Sequence, residues 1–477
     1  MTARTRPGDA ATGGDPGPRL GRLDRLKAWM PREAVLLGLA MFCTVSATNI
    51  MTPLLPQIRD DFGVSITTAG VIVGAFGLAR LAVDLPAGFL ASRIRPRLLS
   101  VVAAILLVVS SIVGLQASTV EILIAARIGS GIGVGILATV ILAALSATAS
   151  PTNRGKVMSL YPMANNVGIA LYPLVGGVIG LLIGWRATFG ITAVLAVAAA
   201  AILLPMLSHV EIRQKRGGRE SGPEDPRVLH GNPKRIALLV TNGGVVANMV
   251  HRHGFRNTIL PLYAATVLGL GGFSIATAIA AMALTGFLVM APGGALGDRV
   301  GRRRVIATGL AAVAVGDLAF LLTGDYLSFL VIAAIIGLGD FFSSSQTALL
   351  SEIVPARQRT MALSGYRFSS DLGALIGPIM LAIVMDTWGV QAAIVTAAVV
   401  LFVASAAARL GVPAKVDLSV AETAPDAAAT AASDPGSASA VPGPPGSPGP
   451  AATAALRPAG ASINRSVQPP PAQETSP

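Results

Sequence analysis

The sequence predicts an all-α integral membrane protein, with about twelve transmembrane helices in two six-helix bundles related by internal duplication. Three observations predict it: apolar runs of spanning length, a motif that occurs twice, and basic residues gathered in alternate connections. Of 477 residues, 53% are hydrophobic and only 13% are charged, against about a quarter charged in soluble domains. The mean hydropathy is +0.68.

Crossing about 30 Å of hydrocarbon takes roughly 20 apolar residues. Runs of that length fall at 34–56, 67–90, 97–116, 119–143, 157–183 and 187–207, and again at 236–256, 272–292, 303–323, 327–350, 361–385 and 389–410. The chain therefore divides into a basic Gly/Pro/Arg-rich head (1–33), a first bundle (34–207), a charged linker (208–235), a second bundle (236–410) and a tail (411–477). Neither head nor linker reads as folded. The tail is Ala, Pro, Ser and Gly without an apolar face, so it cannot offset the entropy of ordering and is expected to be disordered. No small-residue cleavage site follows a short apolar core near the start, so the first span is expected to be retained. Its Cys43 is the only cysteine, which excludes an intramolecular disulfide.

The duplication is visible in two places. Residues 292–304 read Pro-Gly-Gly-Ala-Leu-Gly-Asp-Arg-Val-Gly-Arg-Arg-Arg, and 86–97 read Pro-Ala-Gly-Phe-Leu-Ala-Ser-Arg-Ile-Arg-Pro-Arg. Farther on, Arg154, Ser159, Tyr161, Gly168 and Pro173 align at constant offset with Arg359, Ser364, Tyr366, Gly373 and Pro378. Spans five and eleven are thus equivalent.

The net charge of +12 follows topology rather than nucleic acid. With both termini cytoplasmic, the inner connections hold Arg93, Arg95 and Arg97, Arg154 and Lys156, Arg213 to Arg235, Arg299 and Arg302 to Arg304, and Arg357 and Arg359. The outer ones keep Arg59, Arg186, Arg252 and Arg256, a positive-inside bias.

These residues resemble the major facilitator superfamily over roughly 30–410. That family's loop Gly-x-Leu-Ala-Asp-Arg-x-Gly-Arg-Lys is matched by Gly294, Leu296, Asp298, Arg299, Gly301, Arg302 and Arg303. The first copy keeps Gly88, Leu90, Ala91, Arg93 and Arg97 but has Ser92 for the aspartate and Arg95 for the glycine. Arg127, Gly131 and Gly133 resemble the Arg-x-x-x-Gly pattern of span four. Gly168, Pro173, Gly176 and Gly177 resemble the antiporter pattern of span five, with Tyr172 in place of a glycine. The resemblance implies alternating access around a midplane site lined by spans one, four, seven and ten.

Arg127 lies about eight residues into span four, roughly 12 Å at 1.5 Å per residue, and Asp340 lies at similar depth in span ten. Both are candidates for a substrate or proton pathway, since intramembrane charges face a partner or a wet cavity. Arg80 and Asp84, and Arg367 and Asp371, are each four apart, so each pair can meet on one helix face. The resemblance sets spans two and eleven together, where the four charges can form a switchable network. Asp317 is also deep, but the resemblance makes span nine peripheral and leaves it outside the site. His251, Arg252, His253 and Arg256 read as a cluster at the outer end of span seven, an anchor or a gate for an anionic group. Two histidines two apart share no helical face, so no metal site is expected. Gly88 and Gly294 read as close-packing positions. The resemblance places Asp298 near the start of span five, by Arg154 and Gly155, as a cytoplasmic latch. The alternative is a turn aspartate balancing Arg299 and Arg302. Pro173 with Gly176 and Gly177 reads as a kink.

No phosphate-binding Gly-x-x-x-x-Gly-Lys-Ser/Thr occurs, so energy is expected from an ion gradient, protons by resemblance, with no bound cofactor. The leading expectation is proton-coupled efflux of a small amphipathic molecule. An uptake carrier or symporter for a polar metabolite is the alternative, and a non-transporting membrane sensor a third. Enzymatic chemistry is not expected, because no nucleophile has a base beside it. The expected partners are a small-molecule substrate and the lipid bilayer of the cell membrane, with no nucleic acid, and the chain is expected to act as a monomer.

Overall fold

In lipid every backbone N–H and C=O must be satisfied within the segment, which a helix does. The computed structural model describes residues 31–149, 153–209, 228–355 and 358–417, with the side chains of 84–93, 154, 155, 208, 209, 344, 360, 415 and 417 outside that description. The described residues are all helix and connection. Twelve helices cross the molecule: α1 (Arg32–Phe62), α2 (Ile66–Arg93), α3 (Pro96–Leu115), α4 (Val120–Thr148), α5 (Arg154–Leu182) and α6 (Ala187–His209) form the first bundle. In the second, α7 runs as Gly231–Met249, a π-helical stretch Val250–Ile259 and Leu260–Thr266, followed by α8 (Gly272–Val300), α9 (Arg302–Leu322) and α10 (Tyr326–Glu352). One continuous assignment, Arg359–Gly411, breaks at Gly389, whose φ of 83° no helix accommodates, into α11 (359–388) and α12 (390–411).

Glycines of positive φ end several helices, Gly63 after α1 and Gly301 between α8 and α9 among them. Gly301 has φ 101°, while Arg95, its counterpart in the first copy, has φ −56°. The glycine in the second motif is therefore a backbone requirement that the first copy does without. On α3, Leu98, Val102, Ile105, Val109 and Ile112 form an exposed apolar stripe at helical spacing, the face a lipid chain covers.

The bundles meet along α2 with α11 and α5 with α8. At the end opposite the basic loops, one apolar core joins Leu54, Leu55 and Ile58 of α1 to Ile259 and Leu262 of α7 and Ile275 and Ile279 of α8. Toward the basic end the first bundle keeps a separate core of its own, including Leu37, Leu99, Leu145 and Leu203. Gly70, Gly74 and Gly77 let α2 lie directly on Pro378, Leu375 and Ala374 of α11, the close approach of small residues expected between helices in lipid. Thr67 Oγ1 donates to Asp386 Oδ2 at 2.8 Å at the same end.

Three expectations need correction. The seventh span does not stop at 256: apolar Leu260–Thr266 continue it past the charged stretch, so the charges stand in mid-span. The linker's last residues are folded: Val228 and Leu229 are buried, Leu229 N–H donates to the Ile353 carbonyl at 3.0 Å, and helix starts at Gly231. The tail likewise begins ordered, with Val412 and Val416 buried and the Val412 carbonyl accepting from Arg303 at 3.0 Å.

Candidate functional site

The charged side chains of α2, α4, α7, α10 and α11 meet where the bundles face each other at mid-depth. Arg127 of α4 is 3% exposed. It donates to the Ala47 carbonyl of α1 at 2.6 Å and lies 4.7 Å over the Phe76 ring of α2. Arg252 of α7 donates to Asp340 Oδ2 at 2.8 Å. Arg256, one π-turn on and also buried, has a 3.4 Å contact to Asn257 Oδ1. Arg80 of α2 and Asp371 of α11 pair at 3.4 Å across the two bundles. His253 stands within electrostatic reach of Arg80, Arg127, Arg252 and Arg256 together. Between the bundles lies a cavity of about 10 Å³, room for one water, lined by Thr48, Phe76, Arg127, His253 and Asn257.

The local structure explains the arrangement. The π stretch widens the helix, so His251 turns to α9 while Arg252 and His253 turn to the centre. Gly254 makes this possible by lying against the Gly377 backbone of α11. Asp340 sits at a 3₁₀ step, Asp340–Phe342, within α10, and Gly286 of α8 leaves the space its carboxylate occupies.

Among the described residues the centre carries four guanidiniums, Arg80, Arg127, Arg252 and Arg256, and two carboxylates, Asp340 and Asp371. The two ion pairs leave Arg127 and Arg256 with no carboxylate at ion-pair distance, Arg256 feeling Asp340 only from farther off. Buried charges are ordinarily paired, because desolvating one alone is costly. Such a centre can attract and hold a negatively charged group.

The sequence-predicted residues fall out as follows. The cluster His251, Arg252, His253 and Arg256 is central rather than outer, because α7 runs on beyond it. Asp371 pairs across to Arg80 instead of back to Arg367, which is half-buried one turn away. The Asp84, Gly88, Ser92, Arg93 and Arg154 side chains lie outside the described residues. Gly294 is half-buried, and α8 approaches α10 instead at Gly293, against the Phe341 backbone, and Gly297, against Ser345. Asp298 pairs with Arg302 at 2.7 Å, and Arg302 also holds Glu352 of α10 at 2.8 Å, so this aspartate is tied within its own bundle. Arg299 is exposed. On α5, Gly168 faces Val45 and Gly176 the Ile50 carbonyl of α1, while Gly177 faces Ala276 of α8. The helix continues through Pro162 and Pro173, and Tyr172 donates to the Phe42 carbonyl at 2.9 Å.

Sequence reasoning left out Asp317. It is fully buried on α9 and bonded to His251 Nδ1 at 2.9 Å; the pattern signalled a deep acid, but nothing in the sequence paired it with a histidine. Among the described residues no group of three or more His, Cys, Asp or Glu could hold a metal ion.

Two six-helix bundles packed around a buried charged centre define an integral membrane transport protein. The profile described as Major Facilitator Superfamily matches residues 37–251 and 253–442, and the chain belongs to that family of non-enzymatic carriers. An MFS-type transporter of Methanocaldococcus jannaschii is 23% identical over 368 residues, 76% of this chain and 93% of the relative. A chloramphenicol resistance protein of Streptomyces lividans is 25% identical over 366 residues, 74% and 89%. An arabinose-proton symporter of Escherichia coli is 27% identical over 245 residues, about half of each chain. The fold is also that of an inward-facing bacterial homolog of the human lysosomal transporter Spinster, with a TM-score of 0.65 at 16% identity over 80% of this chain and 98% of that one. A peptide transporter solved with sulfate gives 0.67 at 15% over 81% and 95%.

Proposed function

We propose that the protein is a secondary active carrier that moves a small organic anion together with a proton by alternating access. It acts as a monomer in the cytoplasmic membrane, both termini on the cytoplasmic side, where the basic loops favour them. The observation that carries this reading is the excess of arginine at the centre among the described residues, with Arg127 in one bundle and Arg256 in the other, each buried with no carboxylate at ion-pair distance.

Asp340 supplies the coupling. It and an incoming carboxylate, sulfonate or phosphate are rivals for Arg252, which Asp340 now holds at 2.8 Å. A proton on Asp340 removes the rival, so proton and anion promote each other's binding, and by linkage the promotion is mutual. Ligands that bind together travel together. An inward proton gradient then drives uptake.

Proton-coupled efflux, the leading expectation from sequence, remains the second reading. The Gly168, Pro173, Gly176 and Gly177 pattern and the chloramphenicol resistance relative favour it. It requires proton and cargo to compete, as a cationic cargo on Asp340 would. Purified carrier in vesicles under an imposed pH gradient separates the two. Uphill accumulation of labelled mono- or dicarboxylates or phosphate esters on the side protons enter, abolished by Arg127→Gln and by Arg256→Gln, is expected. Uphill movement of a cation or neutral amphiphile against the proton flow selects efflux, and anion flux untouched by both variants refutes the arginine centre.

A further inference from the structure

Behind the arginine centre lies an ionisable pair that this coupling scheme does not use. His251 Nδ1 and Asp317 Oδ2 are 2.9 Å apart, with side chains 2% and 0% exposed. Phe255 stacks on the imidazole at 5.6 Å, with Phe320 packed behind it. No cargo reaches the pair without unpacking α7 from α9. Asp317 Oδ1 and Asp340 Oδ1 are both buried oxygens with no hydrogen-bond partner, and such an oxygen is costly as part of an anion and less so as part of a neutral acid.

Holding one proton, the pair is neutral; holding none, it carries one negative charge. In this low-dielectric interior that charge is tolerable only near a cation. Asp340 of α10 acts electrostatically on Asp317, and His251 on Asp340, while Asp340 also faces Arg252 and Arg256 of α7. Of the other helices around the pair, α8 and α12 carry charges only near their ends, Asp298 and Arg299 of α8 and Arg409 of α12, and the acid of α11 at this depth, Asp371, pairs with Arg80. The dyad, Asp340 and the two arginines therefore share one charge balance. If Asp340 becomes neutral, Arg252 loses the carboxylate that pairs with it, and an ionised Asp317, which acts on the same Asp340, returns a negative charge to this group of side chains.

We propose that the His251–Asp317 pair is an internal proton site that exchanges its proton with Asp340. The proton leaves the dyad and arrives on a carboxylate oxygen of Asp340, while the negative charge passes from Asp340 to Asp317. No net charge enters or leaves the protein. Asp340 can thus be neutralised without a proton arriving from bulk water. The inference rests on the role given to Asp340 above and adds the group that supplies its proton.

The test uses no cargo: pH-dependent infrared difference spectra of the purified full chain in lipid, with aspartate carboxyl carbons isotopically labelled to assign the acid carbonyl bands. Wild type is expected to show two buried acid components whose amplitudes change together as pH is varied. Asp317→Asn should remove one. Asp340→Asn should remove the other and shift the midpoint of the survivor by about one pH unit, the mark of coupled sites. Should Asp317→Asn fail to fold, Asp317→Glu keeps an acid there and must move the band rather than lose it. A purely structural hydrogen bond gives an Asp317 component that is constant with pH, and that result, or a midpoint unmoved by Asp340→Asn, overturns the proposal. Because flux is not read, it can fail while anion transport stands, and the reverse.

Discussion

Gly77→Ala is the sharpest probe of how the two bundles close. An added Cβ at this position would stand 2.8 Å from the Ala374 carbonyl carbon and oxygen of α11 and 2.8 Å from Leu375 N, all backbone atoms. Ordinary contact begins at 3.4 Å, so α2 and α11 must part by roughly 0.6 Å, and a helix backbone cannot yield as a side chain can. Overpacking of this kind costs about 1–3 kcal/mol. The added strain acts only where α2 and α11 touch, so it penalises the arrangement described here and not one in which that end has opened. A bias of about 1–3 kcal/mol changes a two-state ratio about 5- to 150-fold. The assay is thiol labelling in a Cys43→Ser background of Thr67→Cys, which reports the end opposite the basic loops, and of Asn166→Cys, which faces Met290 across the bundles. Gly77→Ala should raise labelling at 67 relative to 166 by at least about fivefold. An unchanged ratio, with normal protein level and melting temperature, refutes the idea that the glycine stripe sets the closed arrangement.

Three further outcomes are expected. Arg80→Gln and Asp371→Asn should each loosen the same seam, and the double variant should be less than additive by about 1 kcal/mol or more; strict additivity in the labelling ratio means the 3.4 Å pair does not couple the bundles. At the start of α10, Asp325 accepts from the Ser328 amide at 2.7 Å, and that bond, with the Ser328 hydroxyl, holds its carboxyl below the usual carboxylate range. Its folded pKa is depressed, so its capping contribution is present above the unfolded value of about 3.9 and is lost as pH falls through the folded one. Asp325→Ala should speed amide exchange at 326–329 at neutral pH, and the difference from wild type should vanish in acid. Cysteines replacing Gly217, Arg303 and Ala429 should be protected from an impermeant thiol reagent in intact cells, while one replacing Asp325 should label; labelling at 217 from outside inverts the topology.

The helices were legible because lipid imposes length and composition on each one separately, and the observed bounds of α2, α3, α6, α9 and α10 fall within a few residues of the apolar runs. The seventh failed for a physical reason. Hydropathy treats His251 to Thr258 as a boundary, since charge in lipid is unfavourable, yet here two of its ionisable groups, His251 and Arg252, are met by Asp317 of α9 and Asp340 of α10 far along the chain. The same gap misplaced Asp371, whose i,i−4 neighbour Arg367 was visible in sequence and whose actual partner, Arg80, comes from the other bundle. Local spacing shows which pairs can meet on one helix and is silent on which pairs the packing of two bundles prefers. Gly293 and Gly297 were hidden for a related reason: the motif carries several glycines, and only the rotation of α8 against α10 selects which of them face Phe341 and Ser345.

The unequal distribution of charge between the bundles bears directly on how cargo could drive closure. The first bundle contributes Arg127, bonded to a carbonyl and a ring face but to no acid, and the second contributes Arg256 beside the pair Arg252–Asp340. Like charges on opposite bundles disfavour bringing the bundles together at the centre when no anion is present. An anion between them reverses the sign of that interaction and binds best when both guanidiniums are near. On the proposed reading its affinity is therefore greater for the arrangement that brings both guanidiniums near than for an open one, and a ligand shifts a conformational equilibrium only by that difference. A single arginine would bind an anion equally well in every state and move nothing. The proposed use of two, one on each bundle, predicts that Arg127→Lys, which keeps the charge but loses the planar fork, weakens anion-induced protection of Thr67→Cys more than it weakens anion binding itself; equal losses in the two would mean that binding and closure are not joined through this residue.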